Sequence, residues 1–145
     1  MEQDEVADLG RAIIGSAAEA VIYSDHEGLI RFWNAGAERM FGFTPDEAVG
    51  ESLDIIIPPK LREAHWEGYF RVMAGGESRY APGDLLSVPG QTKAGDRVSL
   101  EFTVVPWHDE GGTMVGIAAV LRDVTARWQE MKALKARVQE LEGGG

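Results

Sequence analysis

The chain has 145 residues, of which 44% are hydrophobic and 26% are charged, proportions typical of one globular domain with its own core. Its 24 acidic and 14 basic residues give a formal net charge of -10, which disfavours binding to nucleic acid or to anionic membranes. The absence of cysteine excludes disulfides, thiol nucleophiles and thiolate metal sites.

The first 19 residues are predicted to form a short amphipathic helix, because Val6, Leu9 and Ile13 recur at helical spacing. From Ala20 the pattern becomes strand-like. The runs "AVIYSD" and "LIRFWN" are apolar and are joined by a turn that contains Gly28. This arrangement predicts a β-hairpin.

Helical segments follow the hairpin. The sequences "AGAERMFGF" and "TPDEAVG" predict two short helices, the second starting with Thr44 as N-cap, Pro45 in the first turn and Glu47 completing a capping box. The prolines of "ESLDIIIPP" prevent that connector from forming a helix. A longer helix is predicted over residues 60–74, ended by two glycines.

Three strand-like segments complete the body: "GDLLSVPGQTKA", "RVSLEFTVVPW" and "TMVGIAAVLRDV". In "SLEFTVV", apolar and polar residues alternate, so one face of that strand is buried. The order of two strands, helices and three strands predicts an α+β fold, in which helices lie on one face of a five-stranded antiparallel sheet.

The last segment, residues 126–145, is predicted to be a separate exit helix with a glycine tail. Met131, Leu134, Val138 and Leu141 have the spacing of a coiled-coil seam. Two heptads are marginal in isolation, so we expect the helix to pair with a second copy. The alternative is a helix that folds back onto its own domain.

The segment 20–125 resembles the PAS family of sensory domains. The resemblance rests on "SDHEGLIRFWNAGAERMFGFTPDEAVG", on "KAGDRVSLEFTVV" and on the closing "RDVT". It implies a cupped antiparallel sheet, helices across its mouth, a cavity between them and signalling through the exit helix. Asp123 of "RDVT" resembles the residue that ties the last strand to that helix.

Within the family, "LREAHWEGYFRVMAGGESRY" is most similar to the haem-binding PAS domains of oxygen-sensor kinases. The resemblance implies haem b as cofactor and places His65 at the position of the iron ligand. It also places Arg71 and Arg79 where those kinases hold the haem propionates.

The residues themselves are compatible with this role for His65. On a helix, His65 shares one face with Leu61, Tyr69 and Val72, so its ring points towards apolar surface. A buried imidazole needs a partner, and haem iron is one such partner. The alternative is a core histidine that donates to a carbonyl and packs on an aromatic neighbour.

The distal side of the expected haem pocket departs from that of the kinases, where an arginine contacts bound oxygen. The matching positions here are Leu85 or Leu86. The resemblance then implies an apolar pocket made of Leu86, Phe102, Val104 and Ile117. Relative to an arginine-lined pocket, an apolar one favours carbon monoxide over oxygen.

Two classes of function remain open from the sequence. In one, the domain binds haem and senses a diatomic gas such as O2, CO or NO; in the other, it is a PAS module for dimerisation or for a small organic ligand. No catalytic arrangement of residues is recognised, so we do not expect an enzyme. No apolar run reaches the length of a membrane span, and we expect a cytoplasmic homodimer with an effector domain beyond this chain.

Overall fold

A computed structural model describes residues 1–75 and 85–143. Over these residues the elements are, in chain order, α1 Gln3–Ser16, β1 Ala20–Asp25, β2 Ile30–Trp33, α2 Ala35–Phe41, α3 Pro45–Ala48, the 3-10 turns Leu53–Ile56 and Pro59–Leu61, α4 Arg62–Met73, β3 Leu86–Gln91, β4 Arg97–His108, β5 Met114–Asp123 and α5 Thr125–Gly143.

The strands form one antiparallel sheet, in the order β2-β1-β5-β4-β3 among the described residues. The first and last thirds of the domain therefore meet at its centre, where Ile22 of β1 lies opposite Ala119 of β5. The predicted α+β fold is confirmed. Alternation along β4 sends Leu100 and Phe102 to the face covered by α4, while Val105 stays exposed on the opposite face.

Asn34 fixes the start of the fold. Its buried side-chain oxygen accepts hydrogen bonds from the backbone N–H of Val21 (2.8 Å) and of Ala37 (2.9 Å), where it caps α2. Its amide nitrogen donates to the carbonyls of Ile14 (2.8 Å) and Glu19 (3.0 Å). One fully satisfied side chain thus joins α1, β1 and α2.

The predicted capping box of α3 is present. Thr44 accepts a hydrogen bond from the backbone N–H of Glu47 at 3.2 Å, and the Glu47 carboxylate accepts one from the backbone N–H of Thr44 at 2.9 Å. The second carboxylate oxygen of Glu47 accepts from Lys93 Nζ at 2.5 Å, which ties α3 to the turn between β3 and β4. The segment after the first hairpin is thereby held against the rest of the domain.

The fourth helix begins later than the sequence predicts. Instead of a helix over 60–74, the structure has the 3-10 turn Pro59–Leu61 followed by α4 from Arg62 to Met73. Consecutive prolines at 58 and 59 lack backbone N–H donors and restrict φ, so the chain enters the helix through a tighter turn.

The junction between β5 and α5 is hydrogen-bonded through Thr125. Asp123 accepts from the backbone N–H of Thr125 at 2.9 Å, and the Thr125 hydroxyl accepts from the backbone N–H of Ser99 on β4 at 2.9 Å. Beyond this junction α5 has no buried residue. The fold-back alternative is therefore absent, and the seam residues Met131, Leu134, Val138 and Leu141 are 52%, 59%, 49% and 74% exposed.

Within residues 1–75 and 85–143, no helix combines the length and the apolar character that a membrane crossing needs.

Candidate functional site

A cavity of about 160 Å³ lies between α4, the 3-10 turn Leu53–Ile56 and the inner face of the sheet. The described side chains that line it are mostly aliphatic or aromatic: Ile22, Ser24, Leu53, Ile56, Ile57, His65, Tyr69, Val88, Pro89, Leu100, Phe102, Val104, Ile117, Ala119 and Leu121. Its polar members are two hydroxyls and one imidazole. An apolar space with a few polar groups is the usual form of a small-molecule site.

His65 contributes the imidazole from α4. Its ring packs against two aromatic rings, with its centroid 4.6 Å from that of Trp66 and 5.7 Å from that of Tyr69. Its Nδ1 is buried and has no hydrogen-bond partner among the described residues. A buried polar atom without a partner is uncommon and costs stability, so this nitrogen is a mark of a ligand site.

The surroundings keep His65 neutral. Burial lowers the pKa of the imidazole below its ordinary value of 6.5, and the nearby carboxylate of Asp54 opposes this effect without cancelling it. A neutral imidazole has a free lone pair, which is the form that coordinates a metal.

Tyr69 and Ser24 supply the two hydroxyls. The Tyr69 hydroxyl donates to the backbone carbonyl of Asp25 at 2.5 Å and lies 2.9 Å from Ser24 Oγ. Ser24 Oγ is also 3.4 Å from the carbonyl oxygen of Ile117. Burial, chiefly, raises the pKa of Tyr69 to about 12, so this phenol stays protonated.

The N-terminal half of α4 is attached to the turns below it. Trp66 Nε1 donates to Asp54 Oδ1 at 2.7 Å, and Arg62 donates to the carbonyls of Ile57 (3.0 Å) and Asp54 (3.2 Å). The Trp66 ring also lies over Gly28, where any Cβ would overlap it. This glycine has a φ of 83°, so the close approach and the left-handed turn both require it.

The residues predicted to hold a cofactor divide into two groups. His65, Tyr69, Phe102, Val104 and Ile117 line the cavity. The others that the structure describes do not appear in its wall: Leu61, Arg71, Val72 and Leu86. Arg79 lies outside the described residues.

Local geometry explains why Leu61 and Leu86 are not in the cavity wall. Leu61 belongs to the 3-10 turn rather than to α4, so it leaves the face that carries His65, and it is 38% exposed. On β3, Val88 and Pro89 line the cavity in place of the expected Leu86. Leu86 lies opposite Phe102 at the start of the strand, whereas Val88 lies opposite Leu100 further into the sheet.

Ser24 is the functional candidate that the sequence reading missed. Alternation in "AVIYSD" puts Ser24 on the same face as Ala20 and Ile22, both of which are core residues. A hydroxyl at an inward strand position needs a partner, which was the available signal. The cavity as a whole therefore carries the hydroxyl groups of Ser24 and Tyr69 in addition to its apolar wall.

The His65 imidazole is a suitable ligand for haem iron, but the cavity is smaller than a haem pocket. A single half-buried, neutral imidazole suits the one protein ligand that a haem iron needs, and no group of three potential metal-binding residues occurs in the described part of the chain. Cavities of about 150 Å³ hold a molecule the size of benzene, and cofactor pockets span about 300–1,000 Å³. A porphyrin therefore requires a larger cavity than the one in this structure.

The comparisons with known proteins agree on the family. The family model described as "PAS fold" matches residues 15–129. The solved PAS domain of a protein from Colwellia psychrerythraea superposes with a TM-score of 0.73 at 21% identity, covering 83% of this chain and 98% of that one. This likeness supports the fold.

Two relatives are named as sensors. Sensor protein FixL of Bradyrhizobium diazoefficiens is 26% identical over 132 residues, which cover 91% of this chain and 25% of that protein. Oxygen sensor protein DosP of Escherichia coli is 28% identical over 106 residues, which cover 73% of this chain and 13% of that protein. The chain thus spans a quarter or less of the length of these relatives.

Proposed function

Because this chain belongs to the PAS family of sensory domains, we propose that it binds haem b through His65, senses a diatomic gas and signals through α5. The observation that carries the proposal is the His65 imidazole, which lines an apolar cavity, is neutral, and has a buried Nδ1 without a hydrogen-bond partner among the described residues. The relative named as an oxygen sensor supports the class of signal.

Haem would supply an iron atom able to bind a diatomic gas, with His65 as the residue that holds it. In this proposal His65 coordinates the iron, while Phe102, Val104 and Ile117 keep the gas side of the cavity apolar and exclude water. Arg71, exposed near the end of α4, and Arg79 are the proposed propionate partners.

The output runs through the sheet in this proposal. Ile117 lines the cavity on β5, the strand that ends at Asp123 immediately before α5. The exposed seam of α5, defined by Met131, Leu134, Val138 and Leu141, pairs with the seam of a second copy. A shift of β5 then changes the packing of the two helices. Two such packings differ by a few kcal/mol, within reach of a ligand's differential affinity.

The test is reconstitution of the purified chain with hemin, followed by its absorption spectrum. We expect a Soret band at a one-to-one ratio of haem to protein, lost in His65→Ala. His26→Ala and His108→Ala are matched controls, because both histidines are exposed at hairpin turns, and their spectra should match the original. An unchanged spectrum in His65→Ala would refute the assignment of the ligand.

A second candidate is a small organic ligand, favoured by the volume of the cavity. About 160 Å³ suits a single aromatic ring, and Ser24, Tyr69 and His65 offer polar contacts. The test compares hemin with phenol, using Phe102→Trp as a variant whose larger side chain fills the cavity. The domain is a small-molecule sensor if hemin gives no specific band and phenol raises the melting temperature of the original chain but not that of Phe102→Trp.

A further inference from the structure

The attachment of α4 differs between its two halves. Arg62 and Trp66 hold the N-terminal half through hydrogen bonds to the Asp54–Ile57 region. In the C-terminal half, Tyr69 makes the side-chain hydrogen bonds seen among the described residues, to Ser24 and Asp25. Tyr69 is also the one residue buried in α4, a helix that the structure describes in full.

We propose that Tyr69 is a positioning residue whose hydroxyl latches α4 over the cavity, and that α4 opens about its N-terminal half when this latch is released. The inference rests on the proposed role of the cavity as the signal site, and it names the movement by which that cavity enlarges. In this proposal, the cavity opens when the Tyr69 hydroxyl leaves its partners Ser24 and Asp25.

The anchor of the latch is rigid. The Asp25 carboxylate accepts hydrogen bonds from the backbone N–H groups of Glu27 (2.9 Å) and Leu29 (3.0 Å), and from Arg31 Nε (2.7 Å). These bonds fix the turn whose first carbonyl accepts from Tyr69. The hydroxyl therefore meets a pre-positioned acceptor, which keeps the entropic cost of closing low.

The latch lies beside the proposed iron ligand and one strand from the output. Tyr69 is four residues after His65, and their ring centroids are 5.7 Å apart, so withdrawal of Tyr69 also changes the wall of the cavity at His65. Its partner Ser24 lies opposite Ile117 in the pairing of β1 with β5. Tyr69 thus bonds to β1, the strand that pairs with β5, and β5 leads to α5.

Hydrogen exchange of the haem-free chain tests the latch. In Tyr69→Phe we expect the amides of residues 69–73 to exchange about five-fold faster, the factor that corresponds to about 1 kcal/mol for one hydrogen bond. Amides in the anchored turn Leu53–Ile56 and in β5 should keep their rates. Tyr23→Phe is the matched control, since this tyrosine lies across Gly116 on the other face of the sheet.

Unchanged rates at residues 69–73, or an equal acceleration in α4 and β5, would overturn the latch. If Tyr69→Phe does not fold, Ser24→Ala decides the matter, because it removes one partner and leaves the bond to Asp25. In Ser24→Ala, amide exchange at residues 69–73 should speed up by a smaller factor than in Tyr69→Phe, and only at those residues. Unchanged exchange at residues 69–73 in Ser24→Ala would also overturn the proposal. Since haem is absent from these measurements, a missing Soret band refutes the proposed function and leaves the latch standing.

Discussion

The ring of His65 stands edge-on against the ring of Trp66, with centroids 4.6 Å apart and planes at 81°. Trp66 is in turn held by its hydrogen bond to Asp54, so the orientation of His65 depends on a residue that does not line the cavity. An imidazole whose neighbour is fixed loses less freedom when it binds a ligand.

We therefore predict that Trp66→Phe weakens haem retention several-fold. The phenyl ring keeps part of the packing, but the bond to Asp54, worth about 1–3 kcal/mol when a charged acceptor is involved, is lost. Haem transfer to apomyoglobin measures the effect. Phe70→Leu is a control, because Phe70 stacks on Trp66 but is exposed and does not line the cavity. Equal transfer rates in Trp66→Phe and the original chain would contradict this role.

The structure shows which residues of β3 line the cavity, namely Val88 and Pro89. Val88 lines the cavity and Leu86 does not. In the haem-bound protein, Val88→Arg should raise affinity for oxygen more than affinity for carbon monoxide, because a guanidinium stabilises the more polar of the two bound gases. Leu86→Arg should change neither by more than about two-fold. Gas titration followed by absorption distinguishes the two variants. An oxygen effect at Leu86 alone would show that the distal side lies elsewhere.

The exposed seam of α5 predicts self-association. The double variant Leu134→Glu and Val138→Glu places added negative charges of both chains in one seam, so we expect a shift from dimer to monomer with the PAS core intact. Sedimentation velocity measures the change. Gln129→Glu with Gln139→Glu adds the same charge outside the seam and should leave the dimer unaffected. A dimer of undiminished affinity in the seam variant would place the interface on another surface, such as the apolar face of α1.

The lowered pKa of His65 predicts a pH dependence in the haem-free chain. Well above pH 6.5 the imidazole is neutral in both the folded and the unfolded state, so it contributes no slope there. Below 6.5 the unfolded chain binds a proton that the folded chain resists, because burial outweighs the attraction of Asp54. The free energy of unfolding should therefore fall as the pH drops from 6.5 towards 5.

Urea unfolding across this pH range measures the slope, and His65→Phe should remove the part due to His65. His26→Ala should keep that part, because His26 is exposed in a turn. An identical slope in His65→Phe would show that the imidazole is not held neutral.

The sequence was sufficient for the elements whose formation is local. The turn between β1 and β2, the capping box of Thr44 and Glu47, and the alternation in β4 each depend on residues close together in the chain, and all three are present. Short-range hydrogen bonding and burial periodicity decide these features, so they are readable before any tertiary contact is known.

Only the tertiary structure decided which predicted residues share a cavity. Leu61 and Leu86 have the right chemistry, but Leu61 lies in a 3-10 turn and Leu86 lies at the start of β3, and neither is in the wall, to which β3 contributes Val88 and Pro89. How far the cavity extends along β3 depends on the packing of distant segments, which the local sequence does not determine.

The same holds for the contacts that give the cavity its chemistry. The sequence placed His65 on an apolar helix face, which spacing alone determines. Two features depend on how α4 packs against the hairpin: Nδ1 of His65 has no partner within residues 1–75 and 85–143, and Tyr69 reaches across 44 residues of chain to the Asp25 carbonyl. Such contacts join elements far apart in sequence, so they exist only once the sheet has brought β1 and β5 together beneath the helix.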